Sequence, residues 1–142
     1  MRQPDRATDK SAGGLPPELL LIADGDRDAA TGLGGRFAAR GVPTRVVSAG
    51  SEALELMATH HIPLAVIDVA LDDMPGDELA YQMKWMSPHT GIVITTADYR
   101  PEVEVRARRV GILFYACKPL DLRVLGALVA QAFPTLDGAV SG

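Results

Sequence analysis

Asp24, Asp68, Thr96 and Lys118 each close or directly follow a short apolar run. The runs are Leu19-Leu20-Leu21-Ile22-Ala23, Leu64-Ala65-Val66-Ile67, Ile92-Val93-Ile94-Thr95 and Ile112-Leu113-Phe114-Tyr115-Ala116-Cys117. Runs of this length and composition read as buried parallel strands. In an open parallel sheet, ligands bind just beyond the carboxyl ends of the strands. Two carboxylates, a hydroxyl and an ammonium are therefore expected on one edge of the molecule. Such a set suits a divalent cation together with a phosphoryl group.

The segments between these runs show helical periodicity. The first helix is predicted over about 27–40, with Ala30, Leu33, Gly34 and Phe37 inward and Gly41 and Pro43 ending it. A strand follows at about 44–48. A helix from Ser51 then turns Leu54, Met57 and Ala58 inward. After the Asp68 strand comes a helix near 77–86 with Leu79, Met83 and Met86 in line, leaving Trp85 off the stripe. Pro101 suits the first position of the fourth helix. Its inner stripe is Val103, Ala107 and Val110, with Val105 outside it. The last helix, about 121–133, points Leu125, Leu128, Val129 and Ala132 inward before Pro134. Five strand–helix units with short connections imply an α/β, doubly wound, five-stranded parallel sheet with helices on both faces. In flavodoxin-like order 2-1-3-4-5, the first and third strands are neighbours, so Asp24 and Asp68 end side by side. Adjacent carboxylates repel unless a cation lies between them, and magnesium, which takes oxygen ligands, fits that place.

A chain of 142 residues accommodates one domain with a real core. The expected organisation is a flexible polar arm at 1–16, a domain at 17–134 and a short tail at 135–142. A net charge of −4 disfavours non-specific nucleic-acid binding. No stretch of about eighteen apolar residues is present to span a bilayer, so no membrane association is expected. The single cysteine, Cys117, excludes an internal disulfide and fits a reducing, cytoplasmic setting. Its place in the last apolar run predicts a small buried hydrophobe.

Four pieces, Leu21-Ile22-Ala23-Asp24, Val66-Ile67-Asp68-Val69, Ile94-Thr95-Thr96-Ala97 and Tyr115-Ala116-Cys117-Lys118-Pro119, together resemble the receiver domain of two-component response regulators. The resemblance covers roughly residues 18–133. It implies that Asp68 is the phosphoacceptor, taking a phosphoryl group from a sensor histidine kinase or phosphotransfer protein. It implies magnesium held by Asp24, Asp68 and the backbone carbonyl of Ala70. Thr96 would donate to a phosphoryl oxygen, Lys118 would pair with the acyl phosphate, and small Ala97 would leave room for the donor. Thr96 and Tyr115 would form the switch. The signal would leave through the face made by helix four, strand five and helix five, toward a downstream protein target or a second copy of the chain. Such a protein catalyses only its own phosphorylation and dephosphorylation. The alternative is a degenerate pseudo-receiver serving as an unphosphorylated interaction scaffold.

The chain departs from the family pattern in two places. The usual second acidic residue after strand one is Gly25, which predicts weak magnesium binding; Asp26, one residue on, should point elsewhere. The usual proline four residues after the phosphoacceptor is Asp72, with Pro75 just before the matching Gly76, so Asp72 or Asp73 adds negative charge near the site.

Other signals carry less. Gly32-Leu33-Gly34-Gly35 lies inside the first helix rather than at its start, so close helix packing explains it better than dinucleotide binding. Arg100, Arg106, Arg108 and Arg109 form a basic stretch. Glu102 and Glu104 each precede an arginine by four residues, the spacing of a solvated, paired helix face. His60-His61 is not spaced for metal and fits a helix C-terminus. A phosphohydrolase on a similar sheet would need a further acid beside Asp68, which Asp68-Val69-Ala70 does not supply.

Overall fold

The computed structural model describes residues 15–134; the expected tail, and the arm apart from residues 15 and 16, lie outside the described residues. Five strands, β1 (Glu18–Ala23), β2 (Thr44–Val47), β3 (His61–Asp68), β4 (Gly91–Thr96) and β5 (Phe114–Cys117), alternate with five helices. The helices are α1 (Arg27–Ala38), α2 (Gly50–Leu56), α3 (Gly76–Met86), α4 (Pro101–Arg108) and α5 (Leu122–Ala132). The sheet is parallel throughout, in the expected order β2-β1-β3-β4-β5.

Because strand side chains alternate between faces, the apolar runs split into two cores. Leu20, Ile22, Leu64, Val66 and Val93 pack against α1 and α5 through Ala30, Phe37, Leu125 and Val129. Leu21, Ala23, Ala65, Ile67, Ile92 and Ile94 pack against α2, α3 and α4 through Ala53, Leu79, Met83 and Ala107. The outcome is a three-layer sandwich with both faces of the sheet covered. That explains why its strands read as continuous apolar runs rather than alternating ones.

Several expected inward positions are corrected. In α2, Gly50 and Ala53 are buried and the expected Leu54 and Met57 pack partly buried against the core, while Ala58 lies exposed beyond the helix end. In α3, Ala80 joins Leu79 and Met83 inside, and Met86, the last residue of the helix, is 57% exposed. Cys117 is exposed rather than buried, since β5 is an edge strand whose last residue has no helix over it. His61 opens β3, which is longer than its apolar run, and only His60 lies beyond α2. In the first helix, Gly34 is the packing glycine: a Cβ there would come within 2.8 Å of Val46 Cγ2, whereas Gly32 and Gly35 face open space.

Gly76 fixes where α3 starts relative to β3. A Cβ on it would lie 2.0 Å from the Asp68 carbonyl oxygen and 2.9 Å from Val69 Cα, both backbone atoms that no rotamer change can move. We expect Gly76→Ala to destabilise the fold beyond the about 1–3 kcal/mol of ordinary overpacking, read as a lowered urea midpoint. A midpoint unchanged from wild type would show that α3 can slide freely against β3.

Candidate functional site

Asp24, Asp68 and Lys118 converge beyond the carboxyl ends of β1, β3 and β5. Lys118 Nζ lies 2.7 Å from Asp24 Oδ2 and 2.8 Å from Asp68 Oδ2, bridging the two carboxylates. Alternation makes this possible. Ala23, Ile67 and Cys117 have the parity of the α2–α3–α4 face or its edge, so the next residue of each strand turns toward the α1–α5 side. Both aspartates are buried, with residue exposures of 8% and 4%. Burial alone would lower the pKa of the Lys118 ammonium, but the hydrogen bonds and charges of Asp24 and Asp68 outweigh it and leave that pKa raised.

Each carboxylate is also oriented by backbone. Asp24 Oδ1 accepts from the Asp26 N–H at 2.9 Å, and Asp68 Oδ1 from the Ala70 N–H at 2.9 Å. These short loops after the strands hold the carboxylates over the sheet edge, where they line an open depression of about 680 Å³ together with Gly25, Ala70, Asp72 and Ala97.

The structure does not bring Thr96 to Asp68. The Thr96 hydroxyl accepts from the Asp98 N–H at 2.8 Å and donates to the Asp98 carbonyl at 3.1 Å. Its neighbour does the bonding instead: Thr95 Oγ1 donates to Asp68 Oδ2 at 3.1 Å. Asp68 pairs in register with Thr95, so these two side chains share a face and Thr96 takes the opposite one. Sequence reasoning missed Thr95. The signal was the doubled threonine, but choosing between the two requires the β3–β4 register.

The loop acids separate equally clearly. Asp73 caps α2, accepting from the Ser51 N–H at 3.0 Å and the Gly50 N–H at 2.7 Å, contacts that hold its carboxyl below the usual range. Asp72 lines the depression. Asp26 caps α1, accepting from the Ala29 N–H at 3.2 Å, yet it also lines the depression, contrary to the expectation that it points elsewhere. Beside the site, hydrogen bonds from the Arg100 guanidinium and backbone hold the Asp98 carboxyl down at about 2. Tyr115 is half-buried, its hydroxyl has no hydrogen-bond partner among the described residues, and burial pushes its phenol up. Of the two expected glutamate–arginine pairs on α4, Glu104–Arg108 forms at 2.7 Å. Arg106 reaches across to Asp77 of α3 instead of Glu102.

A family model described as the response regulator receiver domain matches residues 20–130. The chain belongs to that family. Among relatives, it is 30% identical over 113 residues to the regulatory protein AtoC of Escherichia coli K12, covering 80% of this receiver but 24% of AtoC. It is 29% identical over 113 residues to the transcriptional regulatory protein ZraR of the same strain, covering 26% of that protein. The receiver thus spans about a quarter of the length of these relatives. Among solved structures, a two-component response regulator from Clostridium difficile superposes with a TM-score of 0.75 at 25% identity, covering 82% of this chain and 96% of that one. A CheY-like receiver domain protein from Methanospirillum hungatei JF-1 superposes with a TM-score of 0.75 at 23% identity over 87% and 96% of the two chains, a likeness of fold. Receiver domains generally bind Mg2+ in the acidic pocket, and the receiver fold is not in itself an enzyme family. Among the described residues, no helix is long and apolar enough to cross a membrane.

The donor set here fits such a cation with one ligand missing. Asp24, Asp68 and the Ala70 carbonyl offer oxygen, the donor type magnesium takes. Gly25 offers no side chain, and its N–H donates to the Ala70 carbonyl at 2.9 Å. No three acidic, histidine or cysteine groups stand together as a ready metal site among the described residues.

Proposed function

We propose that this receiver accepts a phosphoryl group on Asp68 from a sensor histidine kinase or a phosphotransfer protein. The observation that carries the reading is the Asp68 carboxylate, buried yet lining an open depression, held between Lys118 and Thr95. One Asp68 oxygen attacks the phosphorus of a phosphohistidine. The new O–P bond forms as the N–P bond breaks, and the imidazole keeps the electron pair and takes up a proton. The transferring group carries spread negative charge, so catalysis is mainly positioning and charge stabilisation. Lys118 supplies one positive charge and pairs with the acyl phosphate once formed. Asp24, Asp68 and the Ala70 carbonyl would hold magnesium, which would supply further positive charge. Ala97, exposed at the rim, leaves room for the donor.

In the switch we propose, Thr96 leaves the Asp98 backbone and donates to a phosphoryl oxygen. The partnerless Tyr115 hydroxyl then moves inward on the same face of the sheet, biasing a two-state element. The α4–β5–α5 surface, carrying the exposed Val105 and Leu113, passes the change to a downstream protein or a second copy.

Incubation with a small-molecule phosphodonor and magnesium, followed by intact-mass measurement, tests the reading. A gain of one phosphoryl group supports it. No gain under conditions that label an ordinary receiver would leave the unphosphorylated scaffold.

Gly25 sets the metal affinity in this proposal. Gly25→Asp adds a charged ligand, and we expect calorimetric titration to show magnesium binding about tenfold tighter, since ligand charge count tunes such sites. The structure adds a cost. A Cβ on Gly25 would lie 2.7 Å from the Ala70 carbonyl oxygen, so the loop must shift, and stability should fall by about 1 kcal/mol. Gly25→Ala should show the stability loss without the gain in affinity. Equal magnesium affinity in all three proteins would count against this site.

A further inference from the structure

The side of α3 that borders α4 carries two large aromatic residues in the open: Trp85 is 74% exposed and Tyr81 54%. Tyr81 and Trp85 stand one helical turn apart, and the Trp85 indole N–H donates to the Tyr81 hydroxyl at 3.1 Å. The two rings therefore form a held ridge rather than two loose side chains. Single exposed apolar residues are ordinary; a contiguous group of them beside a groove is not. Here the ridge borders a groove of about 370 Å³ between α3 and the end of α4, lined also by Pro88 and Val110.

Two cations line that groove and no carboxylate does. The Lys84 ammonium rests on the carbonyls of Pro88 and Thr90, at 3.0 and 3.4 Å, so its position is set while its charge stays uncompensated. Arg109 is exposed and has no ion pair among the described residues. Its neighbours differ: Arg106 pairs with Asp77 and Arg108 with Glu104. The chain as a whole has a net charge of −4, so this is a local positive spot on an anionic molecule. Trp, Tyr and Arg are among the residue types enriched in the buried centres of protein interfaces.

We propose that the α3–α4 groove docks an acidic segment of a partner protein, which sets an apolar side chain against Trp85 and Val110 and its carboxylates on Lys84 and Arg109. A nucleic acid is the poorer occupant. Its affinity comes from many phosphate contacts, and two cations on an acidic protein provide few. The groove shares no lining residue with the depression at Asp68.

Trp85 is the only tryptophan in the chain, so intrinsic fluorescence reports on the groove directly. The full chain is titrated with a short synthetic peptide of alternating glutamate and leucine, with the lysine–leucine counterpart, and with oligothymidine. A saturable shift with the acidic peptide alone is expected, weakened at least about tenfold in Arg109→Glu, where a like charge faces the ligand. Arg109 is exposed and unpaired, so that variant should fold; wild-type thermal unfolding verifies this. No saturable change with the acidic peptide, an equal response to the basic one, or an undiminished response in Arg109→Glu would overturn the proposal. So would saturation by oligothymidine alone, which would assign the ridge to base stacking instead.

Discussion

Asp68→Asn should abolish the phosphoryl adduct that the wild-type chain gains from a small phosphodonor. An amide oxygen is a poor nucleophile at phosphorus, and no other carboxylate among the described residues shares the position of Asp68 between Lys118 and Thr95. Asp24 touches the same ammonium but ends the neighbouring strand and lacks the threonine contact. The substitution is nearly isosteric, so the fold should survive. The introduced amide can still accept from Thr95 or from the Ala70 N–H through its single oxygen, but its NH2 end must then face a donor. One lost hydrogen bond to a formerly charged group corresponds to about 1.5–3 kcal/mol, offset in part by relief of the repulsion between residues 24 and 68. Intact-mass spectra of both proteins after identical incubation decide the matter. An adduct of equal yield on Asp68→Asn would move the phosphoacceptor elsewhere and remove the basis of the proposed function.

Lys118→Met should destabilise the folded chain by about 3 kcal/mol near neutral pH, the low end for breaking a buried ion pair, because Lys118 keeps part of its surface in water. Its side chain is 28% exposed, against 12% and 6% for Asp24 and Asp68. Without the ammonium, two buried carboxylates face each other uncompensated. The pH dependence has a definite sign. The pKa of Lys118 is raised in the folded state. Its contribution is therefore complete below the ordinary lysine value and is lost as pH rises through the folded-state value. The stability gap between wild type and Lys118→Met should be full at about pH 7 and shrink above about pH 10.5. Urea unfolding at both pH values measures it. The variant should also label poorly with phosphodonor, having lost the charge that opposes the acyl phosphate. A gap that widened in alkali would mean that Lys118 contributes packing rather than charge.

Much of this architecture was legible in the linear chain because it rests on local chemistry. Short apolar runs bounded by Asp24, Asp68, Thr96 and Lys118 marked four of the five strands and the edge where they end. Pro101 marked the start of α4, and Gly41, with φ of 89°, the turn after α1. Where a residue's environment came only from its own element, as for Ala107 or Val129, periodicity was enough.

What needed the folded molecule were relations between elements. Which of two adjacent threonines meets Asp68 depends on the β3–β4 register, and a one-residue slip reverses every side chain. Whether Arg106 pairs along its helix or across to Asp77 depends on how closely α4 approaches α3. Cys117 and Met86 lie outside at the last residues of an edge strand and of a helix, which no residue type announces. Asp72 and Asp73 are chemically identical neighbours, yet one lines the depression and the other caps α2, because the loop aims successive side chains at different surroundings. Hydrophobic pattern is a property of the chain; partner, register and exposure are properties of distances between segments far apart in it, and those exist only once the core has closed.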